Sequence, residues 1–71
     1  MGCLKQISGK DFCRLLTERG WSLARIKGSH HIFFKAGVRE RIVVPVHGNK
    51  PLKIGLLKAH MKVADIKESA L

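Results

Sequence analysis

Gly28-Ser29-His30-His31-Ile32-Phe33-Phe34 joins a Gly-Ser turn signal to a run of aromatic and β-branched side chains. A run of that composition favours a strand, which the reading places over residues 31–35. Residues 21–27 stop at Gly28 and contain Trp, Leu and Ile, which predicts a strand before the turn, although its alternation is imperfect. After Ala36-Gly37-Val38, where Gly37 can take a left-handed conformation, residues 39–46 alternate well. Glu40, Ile42, Val44 and Val46 share one face there, and Arg39, Arg41 and Val43 the other. Pro45 has no amide donor, so that strand belongs at an edge or ends there.

A helix is predicted on each side of the strands. Ser8 is a candidate N-cap, with Asp11 three residues on, and Phe12, Leu15 and Leu16 form an i, i+3, i+4 stripe. Gly20 can end this helix, which spans about residues 9–19. Residues 47–51, His-Gly-Asn-Lys-Pro, form a loop. From Leu52 the pattern is helical again, with Ile54, Leu57 and Met61 on one face and Lys53, Lys58 and Lys62 around it. Residues 65–71 are expected to be a short polar tail. Short connections make neighbouring strands antiparallel, and so small a sheet needs a cover. The expected fold class is α+β, in the order α-β-β-β-α, with two helices on one face of a three-stranded antiparallel sheet.

Seventy-one residues predict one domain, 1–71, with its core at about 8–62 and with 1–7 and 65–71 frayed or peripheral. A chain of this length buries only about 60% of its unfolded surface, which leaves little room for a deep cofactor pocket. Fourteen Lys and Arg against five Asp and Glu give a formal charge of +9. A charge of that size points to a polyanionic partner, nucleic acid being the commonest. Arg25, Lys27, Lys35, Arg39 and Arg41 cluster around the strands and, with Gly28 and Ser29 of the turn, are the candidate RNA-binding residues. Cys3 and Cys13 lack CxxC spacing and read as reduced thiols. The first eight residues carry no apolar run long enough for a signal peptide. No segment reaches the length of a membrane span, so a cytoplasmic location and no membrane partner are expected.

Histidine is the side chain whose ordinary pKa lies near neutrality. An imidazole beside a cationic turn can deprotonate a ribose 2′-OH while Lys or Arg stabilises the charge on the phosphate. His30 is the candidate for that role and His31 the second candidate. A solvated histidine pair is the plainer alternative. Adjacent strand residues point to opposite faces, so the pair is poorly placed to grip one ion, and no metal or cofactor is expected. His47 and His60 read as solvated or capping groups. Trp21, Phe33 and Phe34 could stack on bases, but most must build core. By parity, Phe33 is expected on the open face with His31.

Gly20-Trp21, Arg25, Gly28-Ser29-His30-His31-Ile32-Phe33, Val43-Val44-Pro45-Val46-His47 and Leu52-Lys53-Ile54-Gly55 together resemble the HicA toxins of toxin–antitoxin systems. The similarity runs from about Ser8 to Met61. It implies a fold like a double-stranded-RNA-binding domain and a ribosome-independent activity that cleaves mRNA. It also implies catalysis by the histidine of Gly-Ser-His, here His30, and a HicB-type antitoxin that covers the site. Many members carry a Gly that ends the second helix, whereas this chain reads Met61-Lys62-Val63-Ala64. The rival from another class is a non-catalytic basic RNA-binding module.

Overall fold

A computed structural model describes residues 6–67 of the chain. The order is α1 (Gly9–Glu18), β1 (Ser22–Lys27), β2 (His30–Phe34), β3 (Ile42–Pro45) and α2 (Ile54–Ala64). The three strands form one antiparallel sheet with β2 in the centre. This is the expected α+β arrangement, like that of a double-stranded-RNA-binding domain. Cys3 and the remainder of the proposed frayed ends, residues 1–5 and 68–71, lie outside the described residues.

Pairing decides which way each strand residue faces. Phe33 pairs with Ile42, and His31 with Val44. Phe33, Ile42 and Val44 are all buried, in one cluster with Phe12 and Leu16 of α1 and Leu57 and Met61 of α2. The helices therefore cover the face that carries Phe33. This corrects the expectation for Phe33: it is 2% exposed and belongs to the core, not to the open face. His31 shares its side, whereas His30, Ile32 and Phe34 turn the other way. Between Leu23 and Arg25 the β1–β2 register shifts. Ala24 is the extra residue of that bulge, and it explains the imperfect alternation of the first strand. The bulge keeps Leu23 and Ile26 on the helix side and turns Arg25 and Lys27 to the open face.

Each strand boundary has a local cause. β2 begins at His30 because Lys27 and His30 pair directly across a two-residue turn. Gly28 takes φ +60° while Ser29 stays out of the left-handed region, the sign pattern of a type II′ turn, which wants Gly in its first central position. β3 is shorter than expected because the chain turns at Lys35, whose carbonyl accepts from the Val38 amide at 3.1 Å. Arg39, Glu40 and Arg41 are left exposed in the connection. β3 is an edge strand and Pro45 is its last residue, as a missing donor requires.

Both helices stop by the same geometry. At the end of α1, the Gly20 amide donates to the Thr17 carbonyl and the Trp21 amide to the Leu16 carbonyl. At the end of α2, the Asp65 amide donates to Lys62 and the Ile66 amide to Met61. Each is a Schellman motif closed by an apolar pair, Leu16 with Trp21 and Met61 with Ile66, all four buried. The left-handed residue is Gly20 in the first and Asp65, at φ +55°, in the second. Asp65 thus takes the left-handed position that favours glycine at a helix end, and apolar packing continues to Ile66. Ile54, expected on the buried stripe of α2, is exposed, and Ala64 completes that stripe.

The helix starts differ, since a side chain caps α1 at Ser8 and none caps α2 at Lys53. The Ser8 hydroxyl accepts from the Asp11 amide at 3.1 Å, the expected N-cap. Gly9 is required for another reason: a Cβ there would run into the Pro45 carbonyl oxygen, so the start of α1 rests on the end of β3. The Leu52 amide donates to the Ile7 carbonyl at 2.8 Å, which ties the lead-in to the segment before α2.

Two substitutions separate these constraints in a thermal unfolding experiment. Asp65→Gly relieves a left-handed non-glycine residue and removes an anion from a helix C-terminus, and it is expected to add about 1 kcal/mol. That is a rise in Tm of roughly 4–8 °C. Gly9→Ala must push two backbones apart and is expected to cost about 1–3 kcal/mol. A destabilised Asp65→Gly or a neutral Gly9→Ala would contradict the reading.

Candidate nucleic-acid interface

The open face of the sheet follows from the pairing. Lys27, His30 and Pro45 lie side by side across it, then Arg25, Ile32 and Val43, then Ser22 beside Phe34. Ile32 is half-buried, whereas Val43 and Phe34 are exposed. Phe34 is the aromatic left free on this face, since Trp21 and Phe33 are both in the core. The surface is a mixed one, apolar along the middle of β2 and β3 and cationic along β1.

His30 is exposed and sits at the first position of β2, against the Gly28–Ser29 turn. The neighbouring Lys27 and Arg25 are exposed as well, on the same face. His31 points the other way, and its Nδ1 is buried without a hydrogen-bond partner. The two imidazoles are therefore separated by the sheet, and His30 is the one open to a ligand on the cationic face.

The sheet brings together Arg25, Lys27, Gly28, Ser29 and His30. It does not bring in the remaining candidates. The Lys35 ammonium donates to the Arg19 carbonyl at 3.0 Å and closes off the end of α1. Arg39 and Arg41 follow the far end of β2, about 15 Å from His30 along the strand. Among the described residues no three His, Cys, Asp or Glu side chains gather as a metal-binding group.

His60 has a structural task. Its Nε2 lies 2.9 Å from the Val43 carbonyl oxygen, and its ring stacks on Phe12 at 6.1 Å between centroids. The sequence reading of a solvated or capping residue is corrected: His60 clamps α2 to β3 and α1. Burial lowers its pKa, and the Val43 hydrogen bond offsets that in part. Burial likewise pushes the Cys13 thiol up to about 11, so it stays protonated at neutral pH.

A groove of about 370 Å³ opens beside the end of β3. Its polar lining is His47, Lys50 and Lys53, and its apolar lining includes Pro45, Leu52 and Leu56. These positions come from a strand end, a loop and a helix start, which is why sequence spacing did not show them as a group. Pro45, which pairs with His30 across the sheet, lines this groove, whereas His30 does not. Among the described residues, no helix is long and apolar enough to cross a membrane.

A family model described as HicA toxin of bacterial toxin-antitoxin matches residues 9–66, most of the chain. The chain belongs to the HicA toxin family. No curated protein matches it closely enough to count as a relative. Family membership makes it a toxin-type member of a toxin–antitoxin system, for which an antitoxin is the implied partner. The match ends at Ile66, so the Asp65 cap of α2 falls within the HicA region.

The lowered pKa of His60 has a stability consequence. A group whose folded-state pKa is depressed contributes stability that is present above the unfolded value, near 6.5. That contribution is lost as pH falls through the folded value, because the unfolded chain takes up the proton first. Chemical denaturation at a series of pH values should show stability falling below about pH 6.5, with a shallower fall in His60→Gln. An identical slope in the two proteins would remove His60 as the cause.

Proposed function

We propose that this HicA-family protein is a metal-independent endoribonuclease, an mRNA interferase, in which His30 takes the proton from a ribose 2′-OH. The observation that carries the reading is the outward position of His30, exposed on the cationic face beside Lys27 and Arg25. The activated 2′-oxygen attacks the adjacent phosphorus, and the bond to the 5′-oxygen of the next nucleotide breaks. The products are a 2′,3′-cyclic phosphate and a free 5′-hydroxyl. DNA has no 2′-OH and is not a substrate. Arg25 and Lys27 neutralise backbone phosphates and read no sequence. The Gly28–Ser29 turn keeps β2's first residue at the sheet's margin, where a bent single strand can reach it.

The same surface suits the antitoxin. We propose a HicB-type partner whose acidic groups meet Lys27 and Arg25 and whose apolar side chains cover Ile32, Phe34 and Val43. Such a partner excludes RNA by occupying the open face, in the cytoplasm, where mRNA and a reduced Cys13 thiol both belong.

Purified protein and His30→Ala should be compared on a defined RNA in EDTA, with the product ends identified. His30→Ala is expected to cut about 10²–10⁴-fold more slowly while still binding RNA. Unimpaired cleavage by the variant would remove His30 from the chemistry. Binding without any cleavage by the unaltered protein would make this an RNA-binding module instead.

A further inference from the structure

We propose that His47 is the general acid of the same site, giving a proton to the 5′-oxygen that leaves when His30 activates the 2′-OH. The assignment rests on the reading of His30 as the base. An alkoxide is a poor leaving group, so a phosphodiester cut at neutral pH gains from a proton donor on the leaving side. Arg25 and Lys27 are on the opposite flank of His30, on β1.

The ladder places His47 within range. His30 pairs with Pro45, and the pairing continues past the end of β3, since the Val46 amide donates to the Ser29 carbonyl at 2.8 Å. By strand parity His47, two residues past Pro45, falls on Pro45's side of the chain, level with the Gly28 turn and at the mouth of the groove. Adjacent antiparallel strands are about 5 Å apart and a strand advances about 3.3 Å per residue, which puts the Cα atoms of His30 and His47 about 8–9 Å apart. Two imidazoles reaching toward each other across that distance leave room for one phosphate between them. The chain then turns away, with the Lys50 amide on the His47 carbonyl at 3.1 Å and Gly48 at φ +58°, so His47 is held at the end of the ladder.

The groove gives the leaving strand somewhere to go. His47 lines it together with Lys50 and Lys53, and the residues that line it include no carboxylate. At about 370 Å³ it lies at the small end of ligand clefts, a size suited to one nucleotide unit. Ribose and base can lie along Pro45 and Leu56 while the two lysines meet the next phosphate. The substrate is therefore a single strand that runs from the Arg25–Lys27 flank, over His30, into this groove. Protons balance: one passes from the 2′-OH to His30, one from the His47 imidazolium to the 5′-oxygen, and the P–O5′ bond breaks as the P–O2′ bond forms.

The test compares two substrates, an ordinary RNA and one with sulfur in place of the bridging 5′-oxygen at the cut site. Sulfur leaves as a thiolate and needs no proton. His47→Ala should cleave the ordinary RNA about 10²-fold or more slowly, and cleave the sulfur substrate within a few-fold of the unaltered protein. His30→Ala should be impaired on both. Normal cleavage of ordinary RNA by His47→Ala would overturn the assignment and leave His30 untouched. An equal loss on both substrates would make His47 a binding residue and overturn it as well. An unaltered protein inert toward both would remove the endoribonuclease reading itself.

Discussion

Phe33 packs beneath two helices with Ile42 at its side, and that burial decides the direction of every other residue in the sheet. A strand has a period of two, so once Phe33 is inside, His31 must share its side and His30 must face out. The bulge at Ala24 carries the choice into β1, where Arg25 and Lys27 emerge on the side of His30. Shifting β2 by one residue would turn His31 outward and put His30 under the helices. The hydrophobic core and the candidate site are thus two consequences of one register.

The helices hold that register at β3. α1 starts against the Pro45 carbonyl, where only a glycine fits, and α2 reaches Val43 through His60. The two Schellman ends then turn Trp21 and Ile66 back into the core. A domain so short has few apolar residues to spare, and these ends add two large ones. The same economy leaves the edge strand β1 thinly covered, with Leu23 46% and Ile26 55% exposed.

Features set by neighbours in sequence were legible from the sequence. The Ser8 cap, Gly20, the Gly28–Ser29 turn and the order of elements each depend on a few adjacent residues, and all four are present. The parity of Phe33 was not legible. Ile32, Phe33 and Phe34 are all apolar, so either alternation buries an aromatic ring, and the choice falls to Ile42, Val44 and the helices. Lys35 was read with the cationic surface because its contact, the Arg19 carbonyl, lies sixteen residues away. His60 and the groove at Pro45, His47 and Lys53 escaped for the same reason: each joins segments that only the folded chain brings together. At the site, His30 and its β1 cations were named from a turn and a resemblance, while the partition of His30 from His31 needed the sheet.

The proposed function places RNA on the open face of the sheet and not on the cationic outer side of the helices. NMR titration with a short 2′-O-methyl RNA, which can bind but cannot be cut, tests it most directly. The backbone amides of Arg25, Lys27, His30, Ile32 and His47 should shift, while those of Phe12, Leu16 and Leu57 hold still. Shifts gathered instead at Lys10, Arg14, Lys58 and Lys62 would place the RNA on the helices and contradict the account.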